Sequence, residues 1–329
     1  MNDKIYGKGC VYMADKKSKK HKKKKSLGFK ITMSILGILI FAGAAAASYG
    51  VSLINKMDNV KLNNEDLGIT ASDELSQYKN LKSIKNIALF GVDAEDGNVG
   101  RSDSIMIATV DPVHNKVKIS SIMRDTYVNI EDHGMDKINH AYAFGGPTLA
   151  IKTLNQNFGL NIEDFVSVNF STLPEIIDTV GGVEVTITDE EVSHINGISA
   201  PGTYTLNGSQ ALDYSRIRYA AGGDYERTHR QRVVLSALFT KGMTLPVSSY
   251  PSVLSNVLPL VQTSLSTSDI LGLCTKVAGM GNSTLEQQRY PLDGYGEGQS
   301  IDGIYYLVTD LNTTKKQMQD YIFDDKVVE

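Results

Sequence analysis

The 329-residue chain is predicted to be an α/β protein, one layered domain held outside the cell behind a single N-terminal membrane anchor. Three observations predict it. Short apolar runs ending in Gly or Asp alternate with capped helical stretches over most of the chain. A 25-residue stretch without charge, residues 31–55, stands near the start. Charge is split around that stretch. Residues 1–30 carry 11 Lys against Asp3 and Asp15, 11 − 2 = +9, and the rest carries 33 − 11 = 22 basic and 37 − 2 = 35 acidic residues, or −13.

The apolar stretch ITMSILGILIFAGAAAASYGVSLIN is bracketed by Lys30 and Lys56. A helix rising about 1.5 Å per residue crosses a ~30 Å hydrocarbon core with about 20 residues. The run KKSKKHKKKK before it is the lysine excess of a cytoplasmic flank. Residues 1–30 are therefore expected as a cytoplasmic tail, 31–55 as an uncleaved signal-anchor helix, and the remainder outside. A cleaved signal peptide is the competing reading, since AGAAAAS offers small residues to a peptidase. Both the apolar run and the basic segment are long for that. The tail also suits anionic lipid head groups. The polar residues 56–82 are expected as a stalk with some helix, and 83–329 as the folded domain.

The domain opens on NIALFGVD (86–93), a buried-strand run. SDSIMIATVDP and NKVKISSIM read as strands around the turn PVHN. GGPTLAIKTLNQNFG (145–159) reads as a helix with Pro147 in its first turn and Gly159 at its end. DFVSVNF is a strand. STLPEIIDTVGG is a short helix with Thr172 and Glu175 as a capping box and two glycines as its stop. VEVTIT is a strand. THRQRVVLSALFTKGM (228–243) and STSDILGLCTKVAGM (266–280) read as helices, TLEQQRYPL as a late strand and NTTKKQMQDYIFDD as a terminal helix.

Composition excludes several chemistries. Cys10 and Cys274 are expected on opposite sides of the membrane and cannot pair, so the domain relies on its core. The sequence has no zinc-spaced Cys/His cluster, no H-E-x-x-H, no G-x-S-x-G and no phosphate-binding G-x-x-x-x-G-K-[ST] loop.

The densest signal is DYSRIRYAAGGDYERTHRQR (213–232), which holds five of the chain's eight arginines. In an extended segment Arg216 and Arg218 point to one face and Ile217 to the other. In the following helix Val234, Ala237 and Leu238 define a buried stripe. Continued backwards, it places Gln231, Arg230 and Arg227 near the inward face, at or before the first turn. Cations are disfavoured at a helix N-terminus unless an anion binds among them. Guanidinium forks match phosphate oxygens where lysine cannot, so the pattern points to phosphate or pyrophosphate. Asp224 fits as a partner that orients one arginine. Asp93 stands at a strand's C-terminal end, with Arg101 and Asp103 two apart behind it. Those two aspartates suit Mg²⁺, which is often held by one or two carboxylates plus substrate phosphates. Arg124 stands at another strand end, followed by Asp125, whose simplest reading is a surface ion pair worth little. Nucleic acid is excluded as a partner, because the outer region is net acidic.

Six blocks in order, LFGVD…GRSDSIMIATVDP, ISSIMRDTYVNI, DKINHAYAFGG, IIDTVGGVEVTI, LNGSQALDYSRIRY and DYERTHRQRVVLSAL, resemble the LytR-CpsA-Psr family of Gram-positive envelope proteins. The resemblance is dense over residues 86–243 and looser beyond. It implies an α-β-α fold with a central mixed sheet and a hydrophobic pocket for a lipid tail. It also implies an enzyme, a phosphotransferase. Such an enzyme moves a glycopolymer, a teichoic acid or capsular polysaccharide, from a polyprenyl-pyrophosphate carrier to a peptidoglycan hydroxyl through a phosphodiester. By motif it assigns Asp93 and Asp103 to the metal (Mg²⁺ or Mn²⁺). Pyrophosphate falls to Arg101, Arg124, Arg216, Arg218, Arg227 and Gln231, with Lys137, Asp224 and Arg230 as further contacts. Either aspartate is a candidate base. A polyprenyl-pyrophosphate hydrolase and a non-enzymatic envelope sensor are the alternatives.

Overall fold

A computed structural model describes residues 58–327 apart from 72, 94–99, 218–222, 246–248, 267, 268, 270, 271, 274, 275, 278 and 281–283. The expected tail and anchor lie outside the described residues, and among those described no helix is long and apolar enough to cross a membrane. The strands are β1 (Asp58–Asn59), β2 (Lys85–Asp93), β3 (Arg101–Asp111), β4 (Lys116–Ile122), β5 (Tyr127–Ile130), β6 (Gly134–Lys137), β7 (Asp164–Asn169), β8 (Val183–Ile187), β9 (Gly202–Leu206), β10 (Val261–Thr263), β11 (Thr284–Tyr290), β12 (Gly296–Ile301) and β13 (Ile304–Thr309). The helices are α1 (His140–Phe158), α2 (Leu173–Thr179), α3 (Asp189–Val192), α4 (Gly208–Arg216), α5 (Gly223–Thr244), α6 (Tyr250–Val257) and α7 (Leu311–Asp324).

Seven strands form one sheet in the order β1-β10-β7-β2-β3-β4-β11. It is mixed: β2 runs parallel to β7 and β4 parallel to β11, while β3 is antiparallel to both its neighbours. Both faces are buried, which is why its central strands read as nearly continuous apolar runs. On one face α1 and α7 cover Ala88, Phe90, Ile105, Ile107 and Phe165. On the other, Met106, Ala108 and Ile119 meet Leu235 of α5, and Gln287 of β11 donates to Ser236 Oγ. A second core joins α2, α4, α5 and α6 to the hairpin β8–β9, through Ile176, Tyr214, Val234, Val253, Val185 and Leu206. This is the expected α-β-α layering.

Two expectations change. The segment expected as a stalk is part of the packed unit. β1 pairs in parallel with β10, Leu67, Leu75 and Tyr78 enter the core beneath α1 and α7, and Tyr78 Oη donates to Asp320 Oδ1 at 2.9 Å. The few apolar residues there are too widely spaced among polar ones to show a period. The domain boundary expected at 83 therefore moves to Asp58. The helix expected at 145 is present: Gly145 and Gly146 (φ 61°) are non-helical, so His140–Phe144 forms a separate short turn across a kink and the second helix starts at Pro147. Thr172 does not cap α2; its hydroxyl donates to Asn169 O at 3.0 Å and Leu260 O at 3.3 Å. The helix expected over 266–280 falls largely outside the described residues.

Candidate active site

One end of the sheet gathers most of the expected residues. β2, β4, β7 and β11 finish where β3 begins, so Asp93 stands opposite Arg101, and Ile105 opposite Ile122, two residues before Arg124. The register between β2 and β3 slips at Gly91/Val92: Gly91 faces Ser104 and Val92 faces Ser102. Asp103 is therefore the extra residue of a β-bulge, a device that re-aims one side chain. Its Oδ1 accepts from Arg124 Nη1 at 2.9 Å. Arg124 Nε lies 3.6 Å from Asp125 Oδ2, and Lys137 Nζ lies 2.8 Å from Asp125 Oδ1. The Lys137 ammonium also sits over the rings of Tyr305 and Tyr306, 5.9 and 5.7 Å from their centroids. Arg101, at the first position of β3, is exposed.

The other flank comes from α4 and α5. The sequence around Arg216 is not extended as expected. Asn207 accepts from Gln210 N at 2.9 Å, and Gln210 Oε1 accepts from Asn207 N at 3.1 Å. This capping box starts a helix that ends on Arg216. The side chain of Arg216 is exposed and its Cζ lies 5.8 Å from the Phe170 ring centroid, while Ile217 is buried. Arg218 lies outside the described residues, as do the side chains of Asp93 and Asp224.

α5 starts at Gly223, five residues before the expected start at 228, so Arg227 stands inside the helix and not at its first N–H groups. The expected role of the helix dipole falls with that. The inward direction holds: Arg227, Arg230 and Gln231 are 2, 4 and 8 % exposed. Arg230, however, does not face the rim. Its Nε donates to Glu191 Oε1 at 2.7 Å and its Nη1 to Ile217 O at 3.5 Å. Glu191 Oε2 accepts from Thr188 N at 2.9 Å. Burial alone would raise the Glu191 carboxyl, but the Thr188 N–H and the Arg230 guanidinium hold it below the usual carboxylate range. Arg230 thus pins α5 to α3, a role the sequence hid because the two partners are 39 residues apart.

Behind this rim an apolar tunnel runs between the sheet and α5, lined by Leu89, Met106, Val166, Leu235, Leu238 and Val261. Its cavity volume is about 200 Å³. Its polar lining is Ser104, Ser215, Ser236 and Gln231, of which Ser104 adjoins Asp103 and Ser215 adjoins Arg216. Gly91 is needed here, since a Cβ would stand 2.9 Å from Ser104 Cβ and 3.1 Å from Phe170 Cζ. Tunnel, Glu191 and Phe170 were not singled out from residue patterns, and Asp125 was read only as a surface ion pair. The Asn207–Gln210 box was a readable sign of α4.

No group of three or more His, Cys, Asp or Glu that could hold a metal exists among the described residues. The bulged Asp103, next to the strand end that carries Asp93, still fits a hard cation. Such a cation takes one or two carboxylates and completes its shell with water and phosphate oxygens. The whole arrangement is complementary to an amphiphile: a guanidinium-rich rim for an anionic head and a tunnel for a hydrocarbon tail.

Comparisons with known proteins agree with that geometry. The LytR_cpsA_psr family model matches residues 49–321. Curated relatives carry the name polyisoprenyl-teichoic acid–peptidoglycan teichoic acid transferase TagU. The one from Oceanobacillus iheyensis is 37% identical over 72% of this chain and 75% of its own length. The one from Bacillus subtilis is 31% identical over 89% of this chain and 94% of its own. Among solved structures, TagT bound to LIIa-WTA superposes with a TM-score of 0.64 at 28% identity, covering 81% of this chain and 100% of that one. YwtF (TagT) with bound octaprenyl pyrophosphate lipid gives 0.61 at 27% identity, again covering 81% and 100%.

Proposed function

Because the chain belongs to the LytR-CpsA-Psr family, we propose that it is a glycopolymer–peptidoglycan phosphotransferase whose donor enters the tunnel tail first. The observation that carries this reading is the guanidinium rim set at an apolar tunnel. A polyprenyl chain buries its methylenes against Leu89, Met106 and Leu235. The pyrophosphate then lies among Arg101, Arg124, Arg216 and Arg227, with Gln231 beside them and Arg218 as a further contact. The donor glycan extends outward from that point, and teichoic acid is the polymer class its relatives' names carry.

The reaction is phosphoryl transfer, in which positioning and charge stabilisation do most of the catalysis. An acceptor hydroxyl of peptidoglycan attacks the phosphorus next to the glycan. The bond from that phosphorus to the bridging oxygen breaks, and polyprenyl phosphate leaves with the electron pair. Glycan and acceptor end joined by a phosphodiester, and the hydroxyl proton passes to a base, Asp93 or Asp103. The arginines match the charge spread over the phosphate oxygens. Asp93 and Asp103 are the residues that would hold Mg²⁺ or Mn²⁺, and such an ion supplies further charge neutralisation at the pyrophosphate. The single-pass anchor at 31–55 is part of the proposal, and it places the domain beside its membrane-borne donor.

The test uses the full chain in detergent with a polyprenyl-pyrophosphate-linked oligosaccharide, Mg²⁺ and uncrosslinked peptidoglycan, followed by mass spectrometry. A glycan–phosphate–peptidoglycan adduct is expected. Arg218→Ala should cut turnover at least about 100-fold, the cost of removing one charge-stabilising donor, while Lys22→Ala in the tail should leave it unchanged. Equal activity in the two variants would sink the site assignment.

A further inference from the structure

We propose that Asp125 is a positioning residue of the reaction, the carboxylate that holds Arg124 and Lys137 as one cationic unit at the pyrophosphate. The inference rests on the functional reading above and adds a residue to it. Read from sequence, Asp125 is a surface ion pair of little worth. In the structure it is 8 % exposed and stands between two cations from different elements. Lys137 Nζ, at the end of β6, forms an ion pair with its Oδ1 at 2.8 Å, and Arg124 Nε lies 3.6 Å from its Oδ2. Arg124 in turn reaches Asp103 with Nη1 at 2.9 Å.

The backbone around this carboxylate is fixed from several sides. Asn139 N donates to Arg124 O at 3.2 Å, Leu307 N to Asp125 O at 2.9 Å, and Ile138 N to Thr126 O at 2.9 Å. Thr126 Oγ1 closes the loop onto Met123 O at 2.6 Å. The hairpin β12–β13 thus docks on Asp125 itself, and its Tyr305 and Tyr306 rings wall the Lys137 side chain. An arginine that must meet a phosphate while a neighbouring carboxylate takes a metal has to release that carboxylate. Arg124 can turn its Nη edge from Asp103 to a phosphate oxygen without losing its place only if its Nε edge is held elsewhere, and Asp125 is the group on that edge. Holding a catalytic group within a fraction of an ångström of its working place is worth large rate factors.

A mutant cycle on the full chain in detergent tests this. Octaprenyl pyrophosphate binding and transfer from the lipid-linked oligosaccharide are measured for wild type, Asp125→Asn, Arg124→Ala and the double variant. A positioning role predicts that Asp125→Asn loses at least about 10-fold in kcat/KM in the wild-type background but several-fold less in the Arg124→Ala background, where only the effect through Lys137 remains. Asp125→Glu, which keeps the charge, should recover at least a third of the lost logarithm of rate. It also carries the cycle if Asp125→Asn does not fold. Losses that multiply in the double variant, or an Asp125→Asn chain within about 3-fold of wild type, would overturn the role. A wild type that binds octaprenyl pyrophosphate without transferring would instead sink the functional reading, and the binding arm of the cycle would still decide Asp125 by the same criterion.

Discussion

Two arginines one helical turn apart do different work. Arg227 and Arg230 are equally buried, but Arg230 spends its Nε on Glu191 and belongs to the scaffold. Removing one member of a buried ion pair leaves an uncompensated charge and costs about 3–5 kcal/mol. Arg230→Met should therefore lower the unfolding free energy by roughly that amount, and the denaturant midpoint with it, while donor affinity at temperatures well below melting stays within a few-fold. Adding Glu191→Leu should restore part of the stability, which urea titration would read. Arg227→Lys is the converse case. It keeps the charge and loses the fork, so kcat/KM should drop about 10-fold or more with little change in melting temperature. A large stability loss in Arg227→Lys would move that residue to the scaffold as well.

At the scale of elements, the tunnel is made by sheet residues that face α5. Leu235→Trp would fill the space between α5 and Met106, Ala108 and Ile119. Affinity for octaprenyl pyrophosphate should fall by 10-fold or more, while inorganic pyrophosphate, which has no tail, should bind as before; a calorimetric titration of both ligands separates the two effects. The same elements show what could be read from sequence. The inward row of Arg227, Arg230 and Gln231 was legible because Val234, Ala237 and Leu238 fix the helix face. The strand ending at Asp93 and the one ending just before Arg124 were legible from their apolar runs. The opposed facing of Arg216 and Ile217 was legible, but the conformation was misread, because two arginines spaced by one residue suggest a strand unless the Asn207–Gln210 box is counted first. Glu191, Asp125 and the tunnel depend on contacts between segments far apart in the chain, and no local pattern carries them. The mixed sheet and the expectation of a lipid pocket entered through six ordered sequence blocks, not through periodicity.

The whole molecule leans on acid-sensitive pairs. Lys118 is fully buried in the sheet, with Nζ donating to Asp111 Oδ2 at 2.7 Å and to Tyr321 O at 2.9 Å. Burial works to raise Asp111, Glu191, Asp320 and Asp325. Lysine, histidine, arginine, tyrosine and backbone N–H partners overcome it and hold all four below their ordinary values. A depressed folded pKa gives stability that is fully present above the unfolded value, about 4, and is lost as pH falls through the folded value. The melting temperature should hold level from pH 7 to about pH 5 and fall steeply below about pH 4. Asp111→Asn should lower the neutral-pH plateau and flatten that descent; an unchanged acid limb would remove this cluster from the explanation.

The pairing of β1 with β10 sets a length scale for the cell surface. On the proposed topology only Lys56 and Met57 separate the anchor's last residue, 55, from Asp58 in the sheet. Two residues and their flanking bonds reach about 10 Å when fully extended. The domain then rides on the bilayer like a float on a short mooring, and any lateral drag on it is delivered straight into the edge of its sheet. Its altitude is fixed, so the polymer it decorates must come down to the membrane to be met, which favours glycan strands still being laid down over those already carried outward.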